Sequence, residues 1–218
     1  MKKDNMPQVA QFWNDIAHDF DAIYTGDKKS GFARTLDHWL RKDIYQRFDW
    51  VMERSRDIRP ATVCDVGCGS GRFVAPLAKR GAEVTGIDVA PEMLKLAEQL
   101  TIKEGVSERC RFIHTDILNW KPDQNFDLVI AIGFWDYIQD PAERLRIIRS
   151  MTNKRFLSAW PRYWTWRMPV RKVRLGVLGC PVYFFRKSQI EQLLKEAGFR
   201  IDSFKTVGKL FCVESTPV

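Results

Sequence analysis

The sequence predicts an α/β fold: a parallel sheet covered by helices on both faces, preceded by an N-terminal pair of helices. Three observations predict it. From Ala61 onward, short β-rich apolar runs alternate with helical patterns, the rhythm of βαβ units. One run, Phe126 to Ile132, is apolar on both alternations, as a strand buried on both faces must be. A chain of 218 residues, 45% hydrophobic, is long enough for one well-cored domain.

The elements follow in order. Residues 8 to 24 carry Phe12, Trp13, Ile16, Phe20, Ile23 and Tyr24 at spacings of three and four, an amphipathic helix. A second helical pattern runs from Arg34 to Arg54. Together they form an expected N-terminal cap, residues 1–55, ahead of a core domain, 56–218. Thr62 to Val66 reads as the first strand, Arg72 to Arg80 as a helix and Val84 to Ile87 as a strand. Pro91 opens a helix to Glu104, in the position where its missing N–H costs nothing. Strands at Arg111 to His114, Phe126 to Ile132 and Arg155 to Ala159 follow, with a helix at Ala142 to Ser150. Ser188-x-x-Glu191 predicts a capping box for a helix stopped by Gly198, before closing strands at Ile201 to Thr206 and Leu210 to Val213.

Composition narrows the function. No apolar run reaches the roughly 20 residues of a spanning helix, and no apolar stretch follows Met1-Lys2-Lys3, so no secretory signal is expected. Five cysteines, without a Cys-x-x-Cys pair, argue against a disulfide framework or zinc ribbon, and a cytoplasmic location is the default. No metal-ligand set is expected. The net charge of +8 is regional: from Arg144 to Ile190 there are twelve Lys or Arg and no acid. A regional field implies an anionic partner.

The chemistry starts at Asp65-Val66-Gly67-Cys68-Gly69-Ser70-Gly71, where a strand ends and a helix begins. Glycines let the backbone turn and a ligand approach closely, and the crevice at such strand ends holds ligands in open α/β sheets. The dinucleotide pattern Gly-x-Gly-x-x-Gly is broken by Arg72. An acid two residues before the first glycine repels a pyrophosphate and suits a cationic ammonium. Asp88, ending the next strand, suits two ribose hydroxyls; Asp116, after the third, suits an adenine amino group. Ammonium, ribose and adenine in that order describe S-adenosyl-L-methionine. The plain alternatives are a tight turn at the glycines, a helix cap at Asp88 and a solvated acid at Asp116.

These residues resemble the class I S-adenosylmethionine-dependent methyltransferases over about residues 60 to 215. Asp65 to Gly71 is similar to their motif I and Val84 to Asp88 to motif II. His114-Thr115-Asp116-Ile117 is similar to motif III, and Phe126 to Ala131 to motif IV. The resemblance implies a Rossmann-like seven-stranded sheet in the order 3-2-1-4-5-7-6 with strand 7 antiparallel. It implies that Gly67, Cys68, Gly69 and Gly71 line the cofactor, with Asp65 toward its methionine end. Asp88 and Val89 would hold the ribose, Asp116 and Ile117 the adenine, and Ala131 and Gly133 the methionine side. The product would be S-adenosyl-L-homocysteine. Asp136 and Tyr137, after strand 4, are the candidate catalytic residues, to orient or deprotonate an acceptor; the alternative is a helix cap and a packed ring.

Motif IV lacks the Asn/Asp-Pro-Pro-Tyr of amino-methylating DNA enzymes and the Pro-Cys of cytosine enzymes. What remains resembles the small-molecule group, in which a helical cap folds over the cofactor. The basic aromatic insert at 160–187 would then form the substrate wall, with Tyr24, Phe134, Trp135, Arg162, Trp166, Arg167 and Arg171 as substrate residues. Arginine forks pair with carboxylate or phosphate, and aromatic rings supply flat apolar area. A small anionic, partly apolar acceptor is expected, methylated at oxygen rather than nitrogen. Peripheral contact of the insert with an anionic membrane, carrying a lipid-linked substrate, ranks second; an RNA surface with stacking aromatics ranks below.

Overall fold

The computed structural model describes residues 5–25, 42–57, 61–163, 176 and 180–218, and the side chains of these except 18–25, 42 and 43. The stretch Arg34 to Arg41 of the expected second helix and most of the insert lie outside the described residues.

Among the described residues, two helices, α1 (Met6–Thr25) and α2 (Lys42–Arg54), precede the sheet. The rest runs β1 (Thr62–Val66), α3 (Val74–Lys79), β2 (Glu83–Asp88), α4 (Pro91–Lys103), β3 (Cys110–His114), β4 (Phe126–Ile132), α5 (Ala142–Met151), β5 (Thr152–Pro161), α6 (Lys187–Glu196), β6 (Phe199–Val207) and β7 (Leu210–Pro217). The seven strands form one sheet ordered β3-β2-β1-β4-β5-β7-β6. β7 runs antiparallel to both neighbours and the remaining strand pairs are parallel, as expected.

Strand β4 shows why the sheet needs helices on both faces. Leu128, Ile130 and Ile132 pack with Trp50, Val51 and Met52 of α2 and Val74, Leu77 and Ala78 of α3. Val129 and Ala131 face the other way, against Leu145, Ile148 and Met151 of α5 and Ile190 and Leu194 of α6. Burying each large aliphatic chain contributes about 1.5–3 kcal/mol, so this one strand anchors both layers. The end of α2 is held by charge as well. Arg54 Nη1 donates to Glu214 Oε2 (2.5 Å), Arg155 Nε lies 3.1 Å from Glu214 Oε1, and Arg155 makes a two-point fork to Asp57 (2.9 Å each).

Two boundaries differ from expectation. The helix read from Arg72 starts at Val74, because Gly71 to Phe73 are still turning, with Gly71 N–H donating to Cys68 O (3.0 Å). The Ser188 capping box does not form. α6 begins one residue earlier, Gln189 Oε1 accepts the Arg186 N–H (2.8 Å), and Glu191 pairs with Lys187. Gly198 ends that helix in the left-handed region, φ +84°.

Candidate functional site

The chain leaves β1 toward β2 on one side and returns to β4 on the other, so a crevice opens between the C-terminal ends of β1 and β4. The glycine loop lines it. Gly67 and Cys68 N–H groups both donate to Ile87 O (2.8 and 3.1 Å), which folds the loop over β2. Gly67 has φ +73°, and a Cβ there would lie 3.0 Å from Phe134 Cδ2. At Gly71, φ +76°, a Cβ would lie 2.9 Å from Ala97 Cβ. The loop therefore needs glycine both for its turn and for its fit against β4 and α4.

Asp88 fastens this loop. Its Oδ2 accepts the Gly69 N–H (2.8 Å) and its Oδ1 accepts the Ala90 N–H at the start of α4 (2.9 Å). Burial pushes its carboxyl above the usual range, opposed by those N–H donors. Asp88 does not cap α4, whose N-cap residue is Ala90 with no side-chain bond. Each of its oxygens keeps a second lone pair, so holding the two loop N–H groups and accepting a pair of hydroxyls are compatible. Its carbonyl accepts from Thr115 N–H (3.0 Å), which ties the loops after β2 and β3 together. Val89 O lies 3.1 Å from His114 Nε2.

Asp65 ends β1 fully inside, at 1% exposure, and its Oδ2 has no hydrogen-bond partner among the described residues. Burial, with the charge of Asp88 adding, pushes its carboxyl up to about 8. A buried acceptor without a donor is a costly arrangement that an incoming cationic N–H relieves. An ammonium fits that requirement, and S-adenosylmethionine carries one.

Past β3, Asp116 accepts from Leu118 N–H at Oδ1 and from Arg144 Nη2 at Oδ2, both at 3.0 Å, and so caps a short 3-10 turn, Ile117–Asn119. Ile117 is buried beside it. At the end of β4, Ala131 is buried and Gly133 adopts φ +80°. A Cβ on Gly133 would meet Arg47 Nη1 at 3.5 Å. Arg47, on α2, is half-buried, and no ion pair or hydrogen bond engages its guanidinium among the described residues. Sequence reasoning missed Arg47. No motif marks it, and only the packing of α2 brings it over the crevice.

The substrate residues are divided by the structure. Phe134 packs on the glycine loop. Trp135 is not a wall residue: it is fully buried, stacked on Trp160 at 4.1 Å and 9°, because the turn after β4 drives its ring into the core. Arg162 is spent on the β6–β7 turn, donating to Gly208 O (3.0 Å) with its guanidinium 5.3 Å over the Phe211 ring. Trp166, Arg167 and Arg171, and the side chain of Tyr24, lie outside the described residues. Asp136 and Tyr137 sit buried on a 3-10 turn, Trp135–Tyr137. Asn5 Nδ2 donates to Tyr137 O (3.1 Å), and Trp13 meets the Tyr137 ring edge-on at 5.7 Å. Asn14 Oδ1 accepts the Glu92 N–H (3.1 Å). These contacts clip α1 beside the crevice from both ends of its described face.

Among the described residues, part of the expected basic field is answered by acids. Acids from outside 144–190 pair with Arg144, Lys154, Arg155 and Lys187. Arg186 keeps an exposed cation at the site end of the sheet, over the ring of Tyr163, while Lys187, over the ring of Phe204, is shared with Glu191.

A family model described as a methyltransferase domain matches residues 59–198. The chain is similar to a ubiquinone biosynthesis O-methyltransferase of Aeromonas salmonicida, 32% identical over 108 residues, 49% of this chain and 45% of that protein. It thus spans about half the length of that relative. A second, from Chromobacterium violaceum, is 25% identical over 175 residues, 74% of each chain. Among solved structures it resembles a magnesium protoporphyrin IX methyltransferase from Synechocystis with bound S-adenosylhomocysteine, at 20% identity, TM-score 0.78, covering 99% of this chain and 100% of that one. A SAM-dependent methyltransferase from Aquifex aeolicus shares the fold at 21% identity, TM-score 0.61, covering 78% and 89%. Given the glycine crevice, the strand order and the matched domain, the chain belongs to the methyltransferase-domain family, of the class I S-adenosylmethionine-dependent kind.

Proposed function

We propose that this chain methylates a small, anionic and partly apolar acceptor at oxygen. The observation that carries the reading is the crevice between β1 and β4. There the buried carboxyl of Asp65, whose Oδ2 has no hydrogen-bond partner among the described residues, lies beside a glycine loop that the Asp88 carboxylate holds through the Gly69 N–H at 2.8 Å. S-adenosylmethionine, when bound, supplies a methyl on a sulfonium leaving group, so the protein's task is alignment and exclusion of water.

Asp65 would accept from the ammonium and Arg47 would pair with the carboxylate of the methionine part. Asp88 would accept from the ribose hydroxyls, and Asp116 with Ile117 would seat the adenine. Gly133, without a Cβ, leaves room beside Arg47. Asp136 and Tyr137 orient the acceptor hydroxyl, and α1 keeps water from the crevice. The related ubiquinone biosynthesis O-methyltransferases support oxygen as the acceptor atom. The exposed Arg186 at the site end of the sheet supports an anionic acceptor.

The test uses purified protein, S-adenosylmethionine labelled on the methyl, and an extract of the source cells. Label is expected in small molecules, and its organic or aqueous phase separates a lipid-like from a polar acceptor. Nuclease-sensitive label in the acid precipitate refutes the proposed acceptor class.

A further inference from the structure

We propose that Arg144 is a positioning residue that sets the base selectivity of the cofactor site, by holding Asp116 as an acceptor toward the adenine amino group. The inference rests on the reading that Asp116 faces the adenine.

Arg144 breaks the local pattern of its own helix. It lies four and seven residues before Ile148 and Met151, on the buried stripe of α5, where an apolar residue would continue the core. It also lies in the first turn, where the positive end of the helix dipole disfavours a cation. Taking a guanidinium out of water adds a further cost. A residue that violates burial pattern and dipole together points to a requirement outside the helix.

Asp116 is that requirement. The two side chains are each 9% exposed, and Arg144 Nη2 lies 3.0 Å from Asp116 Oδ2. The other oxygen accepts the Leu118 N–H, also at 3.0 Å. The carboxylate is thus fixed at both oxygens, one by a backbone group and one by Arg144. A guanidinium only donates, so opposite it the carboxylate serves as an acceptor. The lone pairs left over remain for a donor from the crevice. Adenine presents a donor in its exocyclic amino group. Hypoxanthine carries a carbonyl there, and its lone pairs would face those of Asp116. Without Arg144 the carboxylate has one anchor and turns about its Cβ–Cγ bond, and the distinction between the two bases weakens.

The experiment is calorimetry of wild type, Arg144→Met and Arg144→Gln with S-adenosylhomocysteine and S-inosylhomocysteine, with melting curves to identify folded variants. Wild type is expected to prefer the adenosyl ligand by about tenfold or more, the scale of one mismatched polar contact in a buried site. In the variants that preference is expected to fall below about threefold, mainly through weaker adenosyl binding. Glutamine is the smaller polar replacement, and either folded variant suffices. A folded variant that keeps the wild-type preference, or in which both affinities fall in parallel, overturns the proposal and leaves Arg144 a structural residue. Wild type binding the two ligands equally refutes the adenine reading of Asp116 itself, a failure visible before any variant is made.

Discussion

Replacing Asp65 by Asn tests the cofactor reading most directly, because two observables must move in opposite directions. In the free protein the Asp65 carboxyl is held near 8 by burial, against a usual 3.8. Its folded value lies above its unfolded one, so the unfolded chain gives up this proton first. Stability is therefore lost as pH rises from about 4 to about 8, and the loss levels off above that. At pH 7 the penalty is on the order of 4 kcal/mol. Asp65→Asn removes it, at the lesser cost of burying an amide, and the melting temperature of the ligand-free protein should rise by about 5–10 °C. Binding an ammonium requires the ionised form. Affinity for S-adenosylhomocysteine should thus climb about fiftyfold between pH 6 and pH 8. At pH 7 about 0.9 proton should be released on binding, read by calorimetry in buffers of different ionisation enthalpy. Asp65→Asn should abolish the proton release and weaken binding about 10- to 100-fold at pH 8, the worth of a charged hydrogen bond. A wild-type affinity that is flat from pH 6 to 8, with no dependence on buffer, refutes the pairing of Asp65 with a cation.

Other perturbations follow from the same geometry. Asp88→Ala removes the acceptor for the ribose and frees the Gly69 and Ala90 N–H groups. Affinity for S-adenosylhomocysteine should fall at least about 100-fold, with about 1 kcal/mol of stability lost through the missing loop hydrogen bonds; unchanged affinity in calorimetry would show the ribose assignment to be wrong. Gly71→Ala puts a methyl 2.9 Å from Ala97 Cβ at φ +76°. It should cost about 2–4 kcal/mol in urea unfolding, and Ala97→Gly should return the steric part but not the backbone part. Arg47→Met should weaken S-adenosylhomocysteine about 10-fold or more with an unchanged melting temperature, since no ion pair is broken. Equal affinity would assign the Arg47 guanidinium to something other than the cofactor's carboxylate.

Much of the frame was legible because its signals are local. Alternating runs and the Asp65 to Gly71 loop specify the strand ends and the crevice without long-range information. What escaped was set by distant packing. β5 extends through Trp160 and Pro161 because β7, about fifty residues on, pairs with it. Trp135 and Arg162 read as wall residues by type, but a core stack and the β6–β7 turn claim them. The acid-free segment suggested an unanswered field. Its counter-charges, Asp57, Asp116, Asp127 and Glu214, come from other strands and loops and are invisible in a window. Arg47 lies on a helix whose sequence shows only an apolar stripe. The three acids in order already pointed to the cofactor, while the resemblance supplied the strand order and the roles of the remaining residues.

The antiparallel β7 has a consequence for how the chain is made. It comes last in chain order yet lies between β5 and β6, carrying the buried Cys212, Val213 and Glu214. During synthesis β5 must wait with one hydrogen-bonding edge open until this segment leaves the ribosome, and β6 has no partner at all. The Glu214 counter-charge for Arg54 and Arg155 arrives with it. Such late closure of distant pairings slows folding and lengthens the time that an unpaired edge is available to neighbouring chains. Stalled or shortened products are thus expected to be the aggregation-prone species of this protein. Its yield in cells should respond to translation speed through the β7 codons more than to changes at the crevice.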